Sequence, residues 1–227
     1  MNDAKTLDQT TSGIIERTNA RLDSYRQRTR AGTDRVFAKL LIGQWLFGIF
    51  IAFFFSPYTW AGRVSSVNYH MPIAIVFGGL IISVPVYLAL KNPGATATRY
   101  FVAVAQACYS ALLIHLTGGR IETHFHVFVS LAVLAFYLDL GVLVTAAAVV
   151  ALDHFVRGLL WPESVYGITN PEWWRFLEHA FWVVLCVAAL GMFSRLIMIG
   201  WQYAAEDAGM MEALAEQERR DAKSGGP

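Results

Sequence analysis

Residues 125–160 read FHVFVSLAVLAFYLDLGVLVTAAAVVALDHFVRGLL, and this stretch decides the fold. It is apolar almost throughout and is interrupted only at 137–141, around Asp139. A membrane-spanning helix needs about 20 mostly apolar residues, so the stretch is too long for one span and long enough for two. We therefore predict a helical hairpin that turns at Asp139.

Further apolar segments lie on both sides of this hairpin. Hydrophobic residues make up 56% of the 227 residues and charged residues 15%, against about a quarter charged in a soluble domain. This composition excludes a disordered chain and argues against a soluble one. The predicted fold is an all-α bundle of six transmembrane helices at 37–56, 71–90, 100–117, 125–140, 141–160 and 176–199.

The distribution of positive charge predicts the orientation of this bundle. Six spans place 14 of the 18 Lys and Arg residues on the side of both termini. The other side receives Arg63, Arg120, Arg157 and Arg175. Lys and Arg collect in cytoplasmic loops, so we expect a multi-pass protein of the bacterial inner membrane with both termini cytoplasmic. The net charge of +1 gives no reason to expect nucleic acid as a partner.

Three regions follow from this topology. Residues 1–35 form a polar, arginine-rich cytoplasmic segment, expected either as a surface helix beside anionic headgroups or as a solvated tail. Residues 36–199 form the six-span membrane domain. Residues 200–227 form a juxtamembrane segment, in which an amphipathic helix over 200–222 continues the last span.

All six histidines fall in the outer third of the predicted membrane domain or just above it. They are His70, His115, His124, His126, His154 and His179. Imidazole is the commonest protein ligand of zinc, copper and iron. We therefore predict a site for a transition metal ion (copper, iron or zinc) or a b-type haem, with both the metal and the haem option open.

The best candidate ligands are His115, His126, His154 and His179. His124 ranks next, and His70 is last because it lies in a predicted loop. His124 and His126 are two residues apart, which is about 200° around a helix. Both could bind one ion only if the chain is not yet helical there; otherwise one of the two points inward.

Three carboxylates accompany the histidines and are expected to orient them or to bind the ion directly. Glu122 precedes the first His pair, Asp153 adjoins His154 and Glu178 adjoins His179. An ionised carboxylate inside a span is costly unless it is paired or bound. The alternatives are a purely structural polar network and a pocket that binds an organic ligand or senses protons.

Several longer motifs resemble a known family. They are IHLTGGRIETHFH at 114–126, ALDHFVRG at 151–158, WPESVYG at 161–167, WRFLEHA at 174–180, DRVF at 34–37 and SPYTWAG at 56–62. Together, over about residues 34–199, they resemble the six-span membrane input region that precedes bacterial sensor histidine kinases and methyl-accepting chemotaxis receptors. The sequence departs from that pattern at 184–186, where Val-Leu-Cys replaces an acidic pair.

The resemblance implies a sensory module that passes signals through the last span to a cytoplasmic output. It also implies a homodimer, and a cytoplasmic signalling partner if the chain acts without an output domain of its own. The rival function is a haem or metal redox protein or a metalloenzyme, followed by an ion transporter. No phosphate-binding glycine loop, nucleophilic serine motif or His-Glu-x-x-His is present in the sequence, so no catalytic residue is predicted.

Overall fold

The structure is a computed structural model that describes residues 2–54, 59–61, 64–66, 69–172 and 174–224. Two short strands, β1 (Thr59–Ala61) and β2 (Val64–Ser66), pair in antiparallel orientation. The helices are α1 (Asn2–Phe54), α2 (His70–Pro72), α3 (Gly78–Lys91), α4 (Thr96–Leu116), α5 (Ile121–Leu134), α6 (Leu140–Leu160), α7 (Glu163–Tyr166) and α8 (Arg175–Ser224). A π-helical turn, Ile73–Phe77, joins α2 to α3, and a 3₁₀ turn, Ala135–Tyr137, ends α5. The predicted helical class is confirmed.

Among the described residues, five helices are long and apolar enough to cross a membrane. They lie within Ser12–Phe54, His70–Lys91, Thr96–Leu116, Leu140–Leu160 and Arg175–Lys223. A sixth apolar helix, Ile121–Tyr137, is shorter, at about 25 Å for a rise of 1.5 Å per residue. The chain is therefore a membrane protein with several apolar helices.

The turn between α5 and α6 lies where the break in the apolar run predicts it. Leu138 adopts a left-handed conformation with φ of 51°. Asp139 caps α6, because its Oδ1 accepts the Gly141 N–H at 3.0 Å. A side-chain acceptor at this position satisfies one of the otherwise unpaired N–H groups of the first helical turn.

Residues 29–194 form one compact unit, in which α4 supplies side chains to two buried apolar clusters. Ile114 packs in the cluster that includes residues of α5 and α6, and Leu113 packs in the cluster that includes residues of α1 and α3. Successive residues on a helix point in directions about 100° apart, so adjacent residues in the sequence pack against different helices. The α5–α6 hairpin is thereby packed against α4.

A set of buried polar contacts around Asp34 and Asp139, which we call the polar lock, fixes the Asp139 end of that hairpin. Asp34 of α1 is fully buried and accepts the Tyr137 hydroxyl at 2.6 Å and the Gly94 N–H at 2.5 Å. Arg99 of α4 donates its Nε–H to Asp139 Oδ2 at 2.8 Å. Pairing buried polar groups in this way avoids a desolvation cost. The lock holds one end of α5 and α6, and the histidines lie toward the other.

Residues 1–28 and 195–227 form a second compact unit. Within it, the first part of α1 runs antiparallel to the last part of α8, because Arg17 pairs with Glu216 at 2.9 Å and Tyr25 lies against Trp201 with ring centroids 6.1 Å apart. Arg21 also pairs with Glu212. The sequence predicts a boundary near residue 35, and α1 runs through that position without a break.

Candidate ligand site

Three histidines from three helices lie close together, and we call them the three-histidine cluster: His124 of α5, His154 of α6 and His179 of α8. Their ring centroids are 5.4 Å apart for His124 and His154, 5.5 Å for His124 and His179, and 6.2 Å for His154 and His179. His124 and His154 are buried, and His179 is half-buried. The Tyr166 ring of α7 packs edge-on against His179 at 5.7 Å.

Each ring of the cluster is held by its own helix. Nδ1 bonds to the backbone carbonyl oxygen four residues earlier, at 2.9 Å for His124, 3.1 Å for His154 and 2.9 Å for His179. A carbonyl oxygen only accepts hydrogen bonds, so Nδ1 carries the proton in all three neutral rings and Nε2 keeps its lone pair. The Nε2 of His124 is buried without a hydrogen-bond partner. Histidine ligands of metals show this same use of the second nitrogen.

The spacing of the cluster is slightly wider than a metal centre requires. Three imidazole nitrogens at about 2.0–2.1 Å from a tetrahedral zinc ion place their ring centroids about 5 Å apart. In the part of the chain that the structure describes, no three His, Cys, Asp or Glu side chains stand at metal-binding distances. The three lone pairs suit a transition metal ion in number and chemistry, and the rings would have to move inward to hold one.

A charged network adjoins the cluster through Asp153. Its Oδ2 lies 3.3 Å from Nδ1 of His154, and its two oxygens accept Arg157 Nε at 2.7 Å and Nη2 at 2.6 Å. Arg157 also donates to Ser164 Oγ at 2.8 Å and to the Ala111 carbonyl at 3.2 Å. Each partner is thus hydrogen-bonded, as a charge inside an apolar bundle requires. The network joins α6 to α4 and α7.

His115 lies at the far end of this network rather than in the cluster. Its Nδ1 is 2.9 Å from Ser164 Oγ. Its ring packs against His70 at 5.4 Å and against Trp161 at 5.0 Å, measured between ring centroids. His70 and His115 therefore form a separate pair. The His115 ring contacts both the His70 ring and the Trp161 ring in edge-to-face geometry.

His126 lies in a third place, a polar core between α1, α4 and α5. Its Nε2 is 3.0 Å from Gln44 Nε2, which only donates, and its Nδ1 is 2.9 Å from Ser110 Oγ. Ser130 Oγ is 3.3 Å from the same Nδ1. Both ring nitrogens of His126 are therefore hydrogen-bonded. The chain is already helical from Ile121 onward, so His124 and His126 face different neighbours.

The three predicted carboxylates have different surroundings. Asp153 lies beside one cluster histidine, His154, as described above. Glu122 is exposed on α5, and its Oε2 is 3.7 Å from Arg120. Glu178 is exposed on α8 and lines the pocket beside the cluster. Of the four first-ranked histidines, the structure brings together His154 and His179, and the third member of the cluster is His124.

An apolar pocket of about 1010 Å³ opens beside the cluster, between α5, α6 and α8. Its wall contains all three cluster histidines and Glu178, and otherwise Ala, Val, Ile, Phe and Trp side chains. The sequence predicts a ligand pocket only as an alternative and does not place it between these three helices. Its only signal is the small alanine side chains at 147, 148 and 151, which leave space beside α6.

The helices and this site define a helical membrane protein with a polar cluster among apolar helices. The chain is similar to transducer protein Htr8 of Halobacterium salinarum, with 29% identity over 149 residues. The match covers 64% of this chain and 22% of the relative, so it spans about a fifth of that protein's length. No family model matches the chain, and no solved structure does.

Proposed function

We propose that the chain is a membrane sensory input module whose three-histidine cluster binds a transition metal ion, copper, iron or zinc. The observation that carries the proposal is that Nδ1 of each cluster histidine lies within hydrogen-bond distance of a backbone carbonyl oxygen. This contact places the proton on Nδ1 and leaves three Nε2 lone pairs. Such a set binds a cation without first losing protons. The similarity to a transducer protein supports the signalling role.

The proposed topology has six spans, with Ile121–Tyr137 as the sixth beside the five long apolar helices. The excess of Lys and Arg on the side of both termini supports a cytoplasmic location for each terminus. The protein would lie in the cytoplasmic membrane as a multi-pass protein. The cluster would then lie toward the outer face, where ions from outside the cell reach it.

The proposed output is a movement of α8. This helix carries His179 and continues without a break to Ser224. An ion that binds the cluster more tightly when its three rings have moved inward would shift the equilibrium toward that arrangement. A homodimer formed through α8, or a cytoplasmic signalling partner, would receive the shift.

The test is metal binding by the full chain purified in detergent. Elemental analysis and an absorption spectrum are recorded for the wild type and for His124→Ala, His154→Ala and His179→Ala, after loading with zinc, copper or iron. The control is His126→Ala, which removes an imidazole whose nitrogens are both hydrogen-bonded elsewhere. Size-exclusion chromatography confirms that each variant is folded.

The expected result is one ion per wild-type chain and at least a tenfold lower affinity in each cluster variant, with His126→Ala unchanged. A wild type that takes up no ion after loading would refute metal binding. Equal loss in His126→Ala would refute the assignment to the cluster.

A b-type haem is the second candidate, because the apolar pocket adjoins the cluster. His154 and His179, whose ring centroids are 6.2 Å apart, are the residues that would hold the haem iron. Haem would supply redox chemistry at that position. A Soret band that disappears in the His154 and His179 variants and persists in His124→Ala would favour haem over a three-histidine ion site.

A further inference from the structure

The pocket beside the three-histidine cluster is long and open to one side. Along α6 its wall extends from Val144 to His154, which is about 15 Å of helix. Phe125 and Trp182 in its wall are 62% and 56% exposed, so the pocket can be entered from the side. In a membrane that side faces lipid. A molecule dissolved in the bilayer can therefore reach the cluster without crossing water.

The polar end of the pocket accepts hydrogen bonds. The three Nδ1–H donors are used by backbone carbonyls, and each neutral ring then presents only the Nε2 lone pair. The Nε2 of His124 lacks a partner and is covered by surrounding atoms, while the residue itself belongs to the pocket wall, so a turn of the ring would present this nitrogen to a ligand. An unpaired buried acceptor of this kind is unfavourable, and a donor that pairs with it removes that cost. The ligand head group that suits this end is a hydroxyl donor.

The side chains nearest the cluster favour an aromatic head group. Phe125 and Phe128 of α5 and Phe176 and Trp182 of α8 line the pocket within a few residues of His124 and His179. Aromatic rings pack on one another in edge-to-face and offset arrangements that add to simple burial. The remaining wall, formed by alanine and valine side chains of α6 and α8, suits an aliphatic tail.

We propose that this pocket binds a membrane quinol, with one phenolic hydroxyl at the three-histidine cluster and the isoprenoid tail along α6. The reduced form has hydroxyl donors, whereas the oxidised quinone has only carbonyl acceptors. The carbonyl oxygens of a bound quinone would meet the Nε2 lone pairs with no proton available for a hydrogen bond. The site therefore selects the reduced form by hydrogen bonding, and no electron is transferred.

This inference rests on the proposed function only in using the same cluster as the sensory site. In the metal-free protein the hydroxyl donates to His124 Nε2. The preference for quinol over quinone is a property of the metal-free protein, because it depends on the unoccupied Nε2 lone pair.

The test is isothermal titration of the full chain in detergent, under anaerobic conditions, with decylubiquinol and with decylubiquinone. It is run with metal-free protein and with zinc-loaded protein, because zinc undergoes no redox reaction with the quinol. Ala148→Trp fills the pocket about six residues from His154. Leu152→Trp is the matched control, since Leu152 lies on the same helix, is 64% exposed and is not part of the pocket wall.

The expected result is a dissociation constant for the quinol at least tenfold below that for the quinone. Ala148→Trp should raise it at least tenfold, and Leu152→Trp should leave it unchanged. His124→Phe should abolish the preference for the quinol in metal-free protein. Equal binding of the two redox forms by the wild type, or wild-type affinity in Ala148→Trp, would overturn the proposal.

Zinc content, measured on the same samples, separates this proposal from the proposed function. Ala148→Trp should keep the zinc stoichiometry of the wild type, because the substitution lies away from the cluster. Zinc uptake without quinol binding would refute the quinol and leave the metal site standing. Quinol binding without zinc uptake would support the quinol and refute a zinc site at the cluster.

Discussion

Asp153 holds Arg157 through two parallel hydrogen bonds, Nε to Oδ1 at 2.7 Å and Nη2 to Oδ2 at 2.6 Å. The same Oδ2 lies 3.3 Å from Nδ1 of His154. The pair therefore couples a cluster histidine to the contacts that Arg157 makes with Ser164 and with the Ala111 carbonyl. Paired geometry of this kind fixes direction as well as distance.

Replacing Asp153 by Asn should weaken both the fold and the proposed site. Arg157 would be left half-buried without its countercharge, which we expect to lower the free energy of unfolding by about 1–3 kcal/mol. Metal affinity should fall about tenfold, because His154 loses an orienting partner. Thermal unfolding in detergent and metal titration measure the two effects. Glu122→Gln is the control, since the Glu122–Arg120 pair is exposed on both sides; an equal loss there would contradict this account.

Gly119→Ala should displace α7, which carries Tyr166 to the cluster. Gly119 has φ of +74°, and an added Cβ would lie 2.9 Å from the Tyr166 backbone nitrogen. Gly118 has φ of +69° and open space around the same position, so it is a matched control. Gly118→Ala should cost about 1–2 kcal/mol of unfolding free energy, from backbone strain alone. Gly119→Ala should cost clearly more. Equal melting temperatures of the two variants would show that the close approach at Gly119 is unimportant.

The polar lock around Asp34 should be more sensitive to loss of the carboxylate than to loss of the hydroxyl. Asp34→Ala leaves the Tyr137 hydroxyl and the Gly94 N–H buried without their acceptor, whereas Tyr137→Phe removes one donor and keeps the other bond. Each unpaired buried group costs about 1–3 kcal/mol. Thermal unfolding of the two single variants and the double variant should show Asp34→Ala as the more damaging change and strong non-additivity. Simple additivity would contradict a shared lock.

The antiparallel pairing within residues 1–28 and 195–227 should depend on charge. Arg17→Glu should repel Glu216 and speed hydrogen exchange of residues 12–28, and adding Glu216→Arg should restore the slower exchange. Both side chains are exposed. Raising the salt from 0.1 to 1 M shortens the Debye length from about 10 to 3 Å and should therefore speed hydrogen exchange of the wild type. Arg28→Glu, at an exposed position outside the two ion pairs, is the control. Unchanged exchange in Arg17→Glu would contradict the pairing.

The sequence predicts the helix order because each element carries a local signal. The apolar run breaks at Asp139, whose side chain can cap a helix, and the structure turns there. The helical spacing between His124 and His126 also implies that only one can face a given neighbour, and the structure assigns His124 to the cluster.

What the sequence cannot supply is the rotation of one helix against another. His115 and His126 lie at a depth in the predicted bundle that suits the cluster, but their helices present them to Ser164 and to Gln44. The partners that decide this come from residues 49 and 82 positions away in the chain. The pocket is missed for the same reason, since its walls come from three helices.

X-ray absorption of the zinc-loaded wild type tests the central claim most directly, because the fine structure reports the number of imidazole ligands around the ion. Three histidines with free Nε2 atoms predict three nitrogens at about 2.0–2.1 Å with the multiple scattering of imidazole rings. A spectrum with at most one imidazole, or one unchanged in His179→Ala, would contradict a metal site at the cluster.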